Sequence, residues 1–127
     1  MGPQILVVDD NGDIRELITF ILEDEGYSVA AAADADQALA LMENYWPDLI
    51  LLDVAMPGIS GIQLLTQIRS RSNSSQAVTP VIMITAKSQE SDIEAALKAG
   101  ANTYIVKPFR AGALVEKIRS FIPKVLA

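Results

Sequence analysis

Leu49-Ile50-Leu51-Leu52-Asp53 is the stretch on which the fold turns. Four apolar residues run without alternation and stop at a carboxylate, the pattern of a strand buried on both faces that surfaces at its carboxyl end. The pattern recurs on either side. Ile5-Leu6-Val7-Val8 runs into Asp9-Asp10, and Val81-Ile82-Met83-Ile84 runs into Thr85. Tyr104-Ile105-Val106, followed by Lys107-Pro108, is a shorter candidate, and Tyr27-Ser28-Val29 with the alanines behind it suits an edge strand.

Between these runs the apolar spacing becomes helical. Ile14, Leu17, Ile18, Ile21 and Leu22 share one helix face, with Gly26 as the stop. Ala35, Ala38, Leu39, Met42 and Trp46 predict a second helix, capped by Asp34 and closed before Pro47. Ser60 with Gln63 forms a capping box for a third, which buries Leu64, Leu65 and Ile68. A fourth is predicted from about Ser88 through Ile93, Ala96 and Leu97 to Gly100. The fifth carries Leu114, Val115, Ile118 and Phe121 or Ile122 up to Pro123, with Gly112 weakening its first turn by roughly 1 kcal/mol relative to Ala. Arg71 to Thr79 is Ser-rich and reads as a mobile loop. Five strands alternating with five helices predict an α/β domain over residues 1–127, a doubly wound parallel sheet with helices on both faces.

Composition narrows the chemistry. Of 127 residues half are hydrophobic, enough for a real core, and the formal charge is −6. That surface argues against non-specific nucleic-acid or anionic-membrane binding. No Cys and no His are present, which excludes disulfides, thiolate or imidazole zinc sites, Cys nucleophiles and Ser-His-Asp triads. Any metal must rest on oxygen ligands. No basic stretch precedes a long apolar run, so a soluble cytoplasmic protein is expected.

In a parallel sheet the carboxyl ends of all strands share one edge, and ligands bind there. Asp9, Asp10, Asp53, Thr85 and Lys107 would converge on that edge. Two unit charges about 4 Å apart repel by about 4 kcal/mol at an effective dielectric near 20, so three carboxylates need help. Lys107 offsets one, and a divalent cation would neutralise the rest. Hard carboxylate oxygens suit Mg²⁺, which favours phosphate as a co-ligand. Metal, ammonium and hydroxyl around a carboxylate are the parts of phosphoryl transfer, and an Asp nucleophile is established chemistry. Taken singly, Asp9 or Asp10 reads equally as the cap of the first helix, and Thr85 as strand filler.

These residues resemble the receiver domain of two-component response regulators over essentially the whole chain. The resemblance is carried by Ile5 to Asp10, by Leu49 to Asp53 with Val54-Ala55-Met56-Pro57-Gly58, by Gly61, by Ile84-Thr85-Ala86 and by Lys107-Pro108-Phe109. It implies strand order 2-1-3-4-5 and a phosphorylation-activated switch. Asp53 would accept the phosphoryl group from a histidine kinase or histidine phosphotransfer protein. Asp10, Asp53 and the backbone carbonyl of Ala55 would ligate Mg²⁺, with Asp9 acting through a water. Lys107 and Thr85 would hold the phosphoryl oxygens, Tyr104 would turn with Thr85, and the Lys107-Pro108 bond would be cis. The fourth helix, fifth strand and fifth helix would form the output face. Many receivers pair through that face once activated, so a homodimer is a reading the resemblance allows.

Two positions bear on lifetime. Ala55 has no polar side-chain group to orient an attacking water, and Lys87, two residues after Thr85, is close enough to reach a phosphoryl oxygen; both would slow hydrolysis. Such a module is not an enzyme in the ordinary sense, since it catalyses only its own modification. A Mg²⁺-dependent phosphohydrolase and an unphosphorylated adapter are the competing readings. The first is opposed by Ala55, where such enzymes usually carry a second Asp, and the second by the complete pocket. No output domain follows Phe121, so a stand-alone regulator or a piece of a longer one is expected, with its downstream target unknown.

Overall fold

A computed structural model describes residues 2–56, 58–86 and 90–122, with the backbone alone for Glu90 and Asp92. Lys87, the predicted helix start at Ser88 and the stop at Pro123 lie outside the described residues. Five strands form the sheet: β1 (Gln4–Val8), β2 (Ser28–Ala32), β3 (Leu49–Asp53), β4 (Val81–Thr85) and β5 (Thr103–Val106). They pair in parallel in the order β2-β1-β3-β4-β5, as the resemblance implies. The helices are α1 (Gly12–Asp24), α2 (Ala35–Leu41), α3 (Gly61–Arg69), α4 (Ser74–Ala77), α5 (Glu90–Lys98) and α6 (Ala111–Phe121).

Strand alternation divides the core in two. Ile5, Val7, Leu49, Leu51, Ile82 and Ile84 face α1 and α6, where Ile18, Leu22, Leu114 and Ile118 meet them. Leu6, Val8, Ile50, Leu52, Val81 and Met83 face the opposite layer, built from α2, α3 and Ala96 of α5. The three inner strands are covered on both faces, which is why their runs are apolar without interruption.

Local chemistry bounds the helices where expected: Asp34 caps α2 by accepting the Gln37 N–H, and Gly100 follows α5 at φ +112°. Gly26 leaves α1 at φ +95°, a conformation that strains any side-chain-bearing residue. Ser60 and Gln63 make the capping box of α3 in both directions. In two places the prediction needs correcting. α2 stops at Leu41 rather than reaching Trp46, because the indole leaves the helix to donate from Nε1 to Thr79 Oγ1 at 2.7 Å. The Ser-rich segment is not a plain loop: Asn73 caps a helical turn, α4, by accepting from the N–H groups of Ser75 and Gln76.

Arg69 explains why that segment is ordered. Its guanidinium donates to the carbonyls of Gly100, Ala77 and Thr79 at 2.9, 3.0 and 2.6 Å, and to Asn102 Oδ1 at 3.0 Å. One side chain thus satisfies the carbonyls of two connections at the amino edge of the sheet.

Candidate functional site

The strand order reverses between β1 and β3, whose following helices leave on opposite faces; the carboxyl ends of these two strands therefore open a crevice. Asp9 and Asp10 follow β1, and Asp53 ends β3. One carboxylate oxygen from each lies within 4.8 Å of the others. Asp9 and Asp53 are nearly sealed, at 0% and 4% exposure, whereas Asp10 faces solvent.

Asp9 is held at every polar atom. Its N–H donates to Ala32 O at 3.2 Å, and its carbonyl accepts from Arg15 Nη1 at 2.7 Å. Oδ1 accepts the Asn11 N–H at 2.9 Å. Oδ2 accepts no well-angled hydrogen bond from a described residue, but it forms an ion pair with Lys107 Nζ at 2.9 Å. That ammonium, on a side chain only 19% exposed, lies 3.7 Å from Asp53 Oδ2 and so bridges the two buried carboxylates. Neither Asp9 nor Asp10 caps α1. Asn11 does, accepting from the N–H groups of Asp13 and Ile14, which leaves both aspartates available to the crevice.

Asp53 carries the electrostatic cost of the arrangement. Burial, and then the Asp9 charge, push its carboxyl up to about 7, against the pull of Lys107 and of the Ala55 N–H, which reaches Oδ1 at 3.2 Å. The loop that positions it is tied down by Val54 N–H to Ile84 O and Gly61 N–H to Val54 O. Gly61 is sterically required: a Cβ there would collide with the carbonyl of Asp53.

The remaining predicted residues fall as follows. Thr85 ends β4 on the same edge, buried, and its carbonyl accepts the Lys107 N–H at 2.7 Å. The Lys107-Pro108 peptide is cis. Ala55 is exposed beside Asp53. Tyr104 sits three residues before Lys107, outside the carboxylate cluster, with its ring 5.2 Å from Lys117 Nζ. Sequence reasoning missed Asn11 and Arg15, which fix Asp9; an Asn before the first helical turn is the signal for the cap, whereas Arg15 carries none.

The donor set fits a small hard cation. It offers carboxylate oxygens only, and its three negative charges are met by one ammonium.

Fold and pocket together define a doubly wound α/β domain with an acidic, lysine-bridged crevice at its topological switch point. A family model described as the response regulator receiver domain matches residues 5–119, and the chain belongs to that family, the receiver domains of two-component response regulators. The phosphate regulon transcriptional regulatory protein PhoB of Escherichia coli (strain K12) is 40% identical over 125 residues, 98% of this chain and 54% of the relative. The DNA-binding response regulator MtrA of Mycobacterium tuberculosis (strain H37Rv) is 38% identical over 120 residues, 94% of this chain and 50% of the relative. This chain therefore spans about half the length of the curated relatives it matches. Among solved structures, the chemotaxis protein CheY4 of Vibrio cholerae superposes with a TM-score of 0.87 at 31% identity, covering 94% of this chain and 98% of that one.

Proposed function

We propose that Asp53 is the phosphoacceptor of a signalling switch, loaded by a phosphohistidine on a partner histidine kinase or histidine phosphotransfer protein. An Asp53 oxygen attacks phosphorus, an O–P bond forms, and the P–N bond breaks as the imidazole leaves with the electron pair and takes up a proton. One observation carries this reading: a carboxylate raised in pKa by its burial and by the Asp9 charge shares a single ammonium with Asp9.

Asp10, Asp53 and the Ala55 carbonyl would hold Mg²⁺, with Asp9 acting through a water. When bound, the ion supplies positive charge that keeps Asp53 ionised and offsets the incoming oxygens. Lys107 would exchange part of its pairing with Asp53 for the phosphoryl oxygens, and the Thr85 hydroxyl would donate to one of them. New charge and acceptors at the crevice then bias a two-state equilibrium across α5, β5 and α6, with Tyr104 following Thr85. That face is the output surface for a partner, a further domain or a second copy.

Catalysis extends only to the domain's own phosphorylation and dephosphorylation. The switch works in the cytoplasm; among the described residues no helix is long and apolar enough to cross a membrane. PhoB and MtrA are named as a transcriptional regulator and a DNA-binding regulator. We extend such an output only to a longer protein, since the receiver surface is acidic and not built for direct nucleic-acid contact.

The test is incubation with Mg²⁺ and a small acyl phosphate, followed by intact-mass measurement. Stable single labelling that Asp53→Asn abolishes is expected. No labelling would reduce the domain to an adapter, and multiple turnover on phosphate esters would make it a hydrolase.

A further inference from the structure

The peptide planes on either side of Asp10 are held by different partners. The plane before it carries the Asp9 carbonyl, which accepts from Arg15 Nη1 at 2.7 Å. The plane after it carries the Asn11 N–H, which donates to Asp9 Oδ1 at 2.9 Å. Asp10 itself is exposed, and its carboxylate accepts no hydrogen bond and pairs with no cation among the described residues. Lys107 is taken up by Asp9 and Asp53. A peptide unit is planar, so fixing a carbonyl fixes the N–Cα bond that follows it. The place of Asp10 in the crevice is therefore set through its backbone, and one of its two holds is Arg15.

The path of the Arg15 side chain is an independent sign. Arg15 stands at the opening of α1, four residues after the Asn11 cap, and its guanidinium runs back past the helix end to reach Asp9. A cation there works against the helix macrodipole, which favours anions such as Asp13 at that end. Gly12 leaves room for the passage. It has no positive φ that would require glycine, and a Cβ there would already stand 3.4 Å from Arg15 Nη2. Both residues depart from what an isolated helix would choose, and both departures serve one contact on the Asp9 carbonyl.

We propose that Arg15 is a positioning residue for Mg²⁺ capture, fixing through the Asp9 carbonyl the one exposed carboxylate of the crevice, Asp10. The inference rests on the reading that Asp10 ligates the ion. Mg²⁺ demands near-octahedral oxygens at about 2.0–2.1 Å, whereas Ca²⁺ accepts looser sets at about 2.3–2.6 Å. A loosened Asp10 therefore costs Mg²⁺ more than Ca²⁺. Charge alone predicts the opposite sign: Arg15 is a cation near a cation site, and neutralising it would tighten the binding of either ion.

The experiment titrates MgCl₂ and, separately, CaCl₂ into the isotopically labelled chain, following the amide shifts of residues 8–12 and 53–55. Arg15→Gln is expected to weaken Mg²⁺ about tenfold and Ca²⁺ by no more than about twofold. In the Asp10→Asn background the same substitution should change Mg²⁺ affinity by less than about twofold, because the carboxylate it positions is gone. In EDTA, with no metal involved, the amide order parameters of Asp10 and Asn11 should fall in Arg15→Gln from about 0.85 toward about 0.6. Thermal melts confirm that each variant folds. Tighter or unchanged Mg²⁺ binding in Arg15→Gln, an equal loss for Ca²⁺, a full loss in the Asp10→Asn background, or unmoved order parameters would overturn the proposal and leave the metal reading standing. A wild type whose amides ignore Mg²⁺ would remove the metal reading and this inference together.

Discussion

Replacing Asp53 by Asn tests the electrostatic reading of the crevice through stability, without any phosphoryl donor. The carboxyl moves from an ordinary 3.8 to about 7 on folding, so between those values the folded chain holds a proton that the unfolded chain has released. Stability must therefore fall as pH rises through that window, and the full penalty is present above about 7. Three units at 1.36 kcal/mol each set an upper bound of about 4 kcal/mol. A direct Coulomb figure agrees in size: oxygens within 4.8 Å of each other repel by about 3 kcal/mol at an effective dielectric near 20. Asn keeps the Oδ1 acceptor for the Ala55 N–H and removes the charge. In EDTA at pH 8, urea denaturation should find Asp53→Asn more stable by about 2–4 kcal/mol, or roughly 10 °C in Tm. At pH 5 the gain should shrink to at most about 1.6 kcal/mol, the 1.2 units between 3.8 and 5 over which only the unfolded carboxyl is ionised, and it should nearly vanish only near pH 3. Millimolar Mg²⁺ should close most of the pH 8 gap by stabilising the wild type. Equal stability of the two proteins at pH 8, or a gain undiminished at pH 5, would refute the reasoning.

Gly61→Ala drives a Cβ into the Asp53 carbonyl and should cost about 1–3 kcal/mol in urea melts while weakening Mg²⁺ binding by displacing the strand end. Arg69→Ala leaves the carbonyls of Ala77, Thr79 and Gly100 without their donor; a loss of about 2–4 kcal/mol is expected, with faster amide exchange over residues 73–79. Ala55→Asn combined with Lys87→Glu should shorten the lifetime of the phosphorylated form, measured by loss of the phosphoryl mass; an unchanged lifetime would remove both residues from the account of hydrolysis.

The layer plan was legible because it rests on periodicity. Uninterrupted runs such as Leu49 to Leu52 can be satisfied only by cover on both faces, and the intervening helical stripes supply that cover. Leu17 departs from its stripe: it remains 48% exposed, at a rim shared with Pro108 and Phe109 that local spacing does not encode. The Trp46 and Arg71–Thr79 regions were misread for a related reason. The Trp46 indole is drawn off by Thr79, 33 residues away, which leaves no local pattern; the Ser-rich segment is tied down by Arg69 of α3, although its Asn73 cap is itself a local signal.

From the chain alone follow the five buried or edge strands, the charge at their ends and the absence of imidazole and thiolate ligands. These follow because apolar spacing and residue type are local properties. Only the tertiary structure decided that Lys107 lies between Asp9 and Asp53 and that the Trp46 indole reaches Thr79. Those are distances between residues remote in sequence, set by how the helices pack on the sheet.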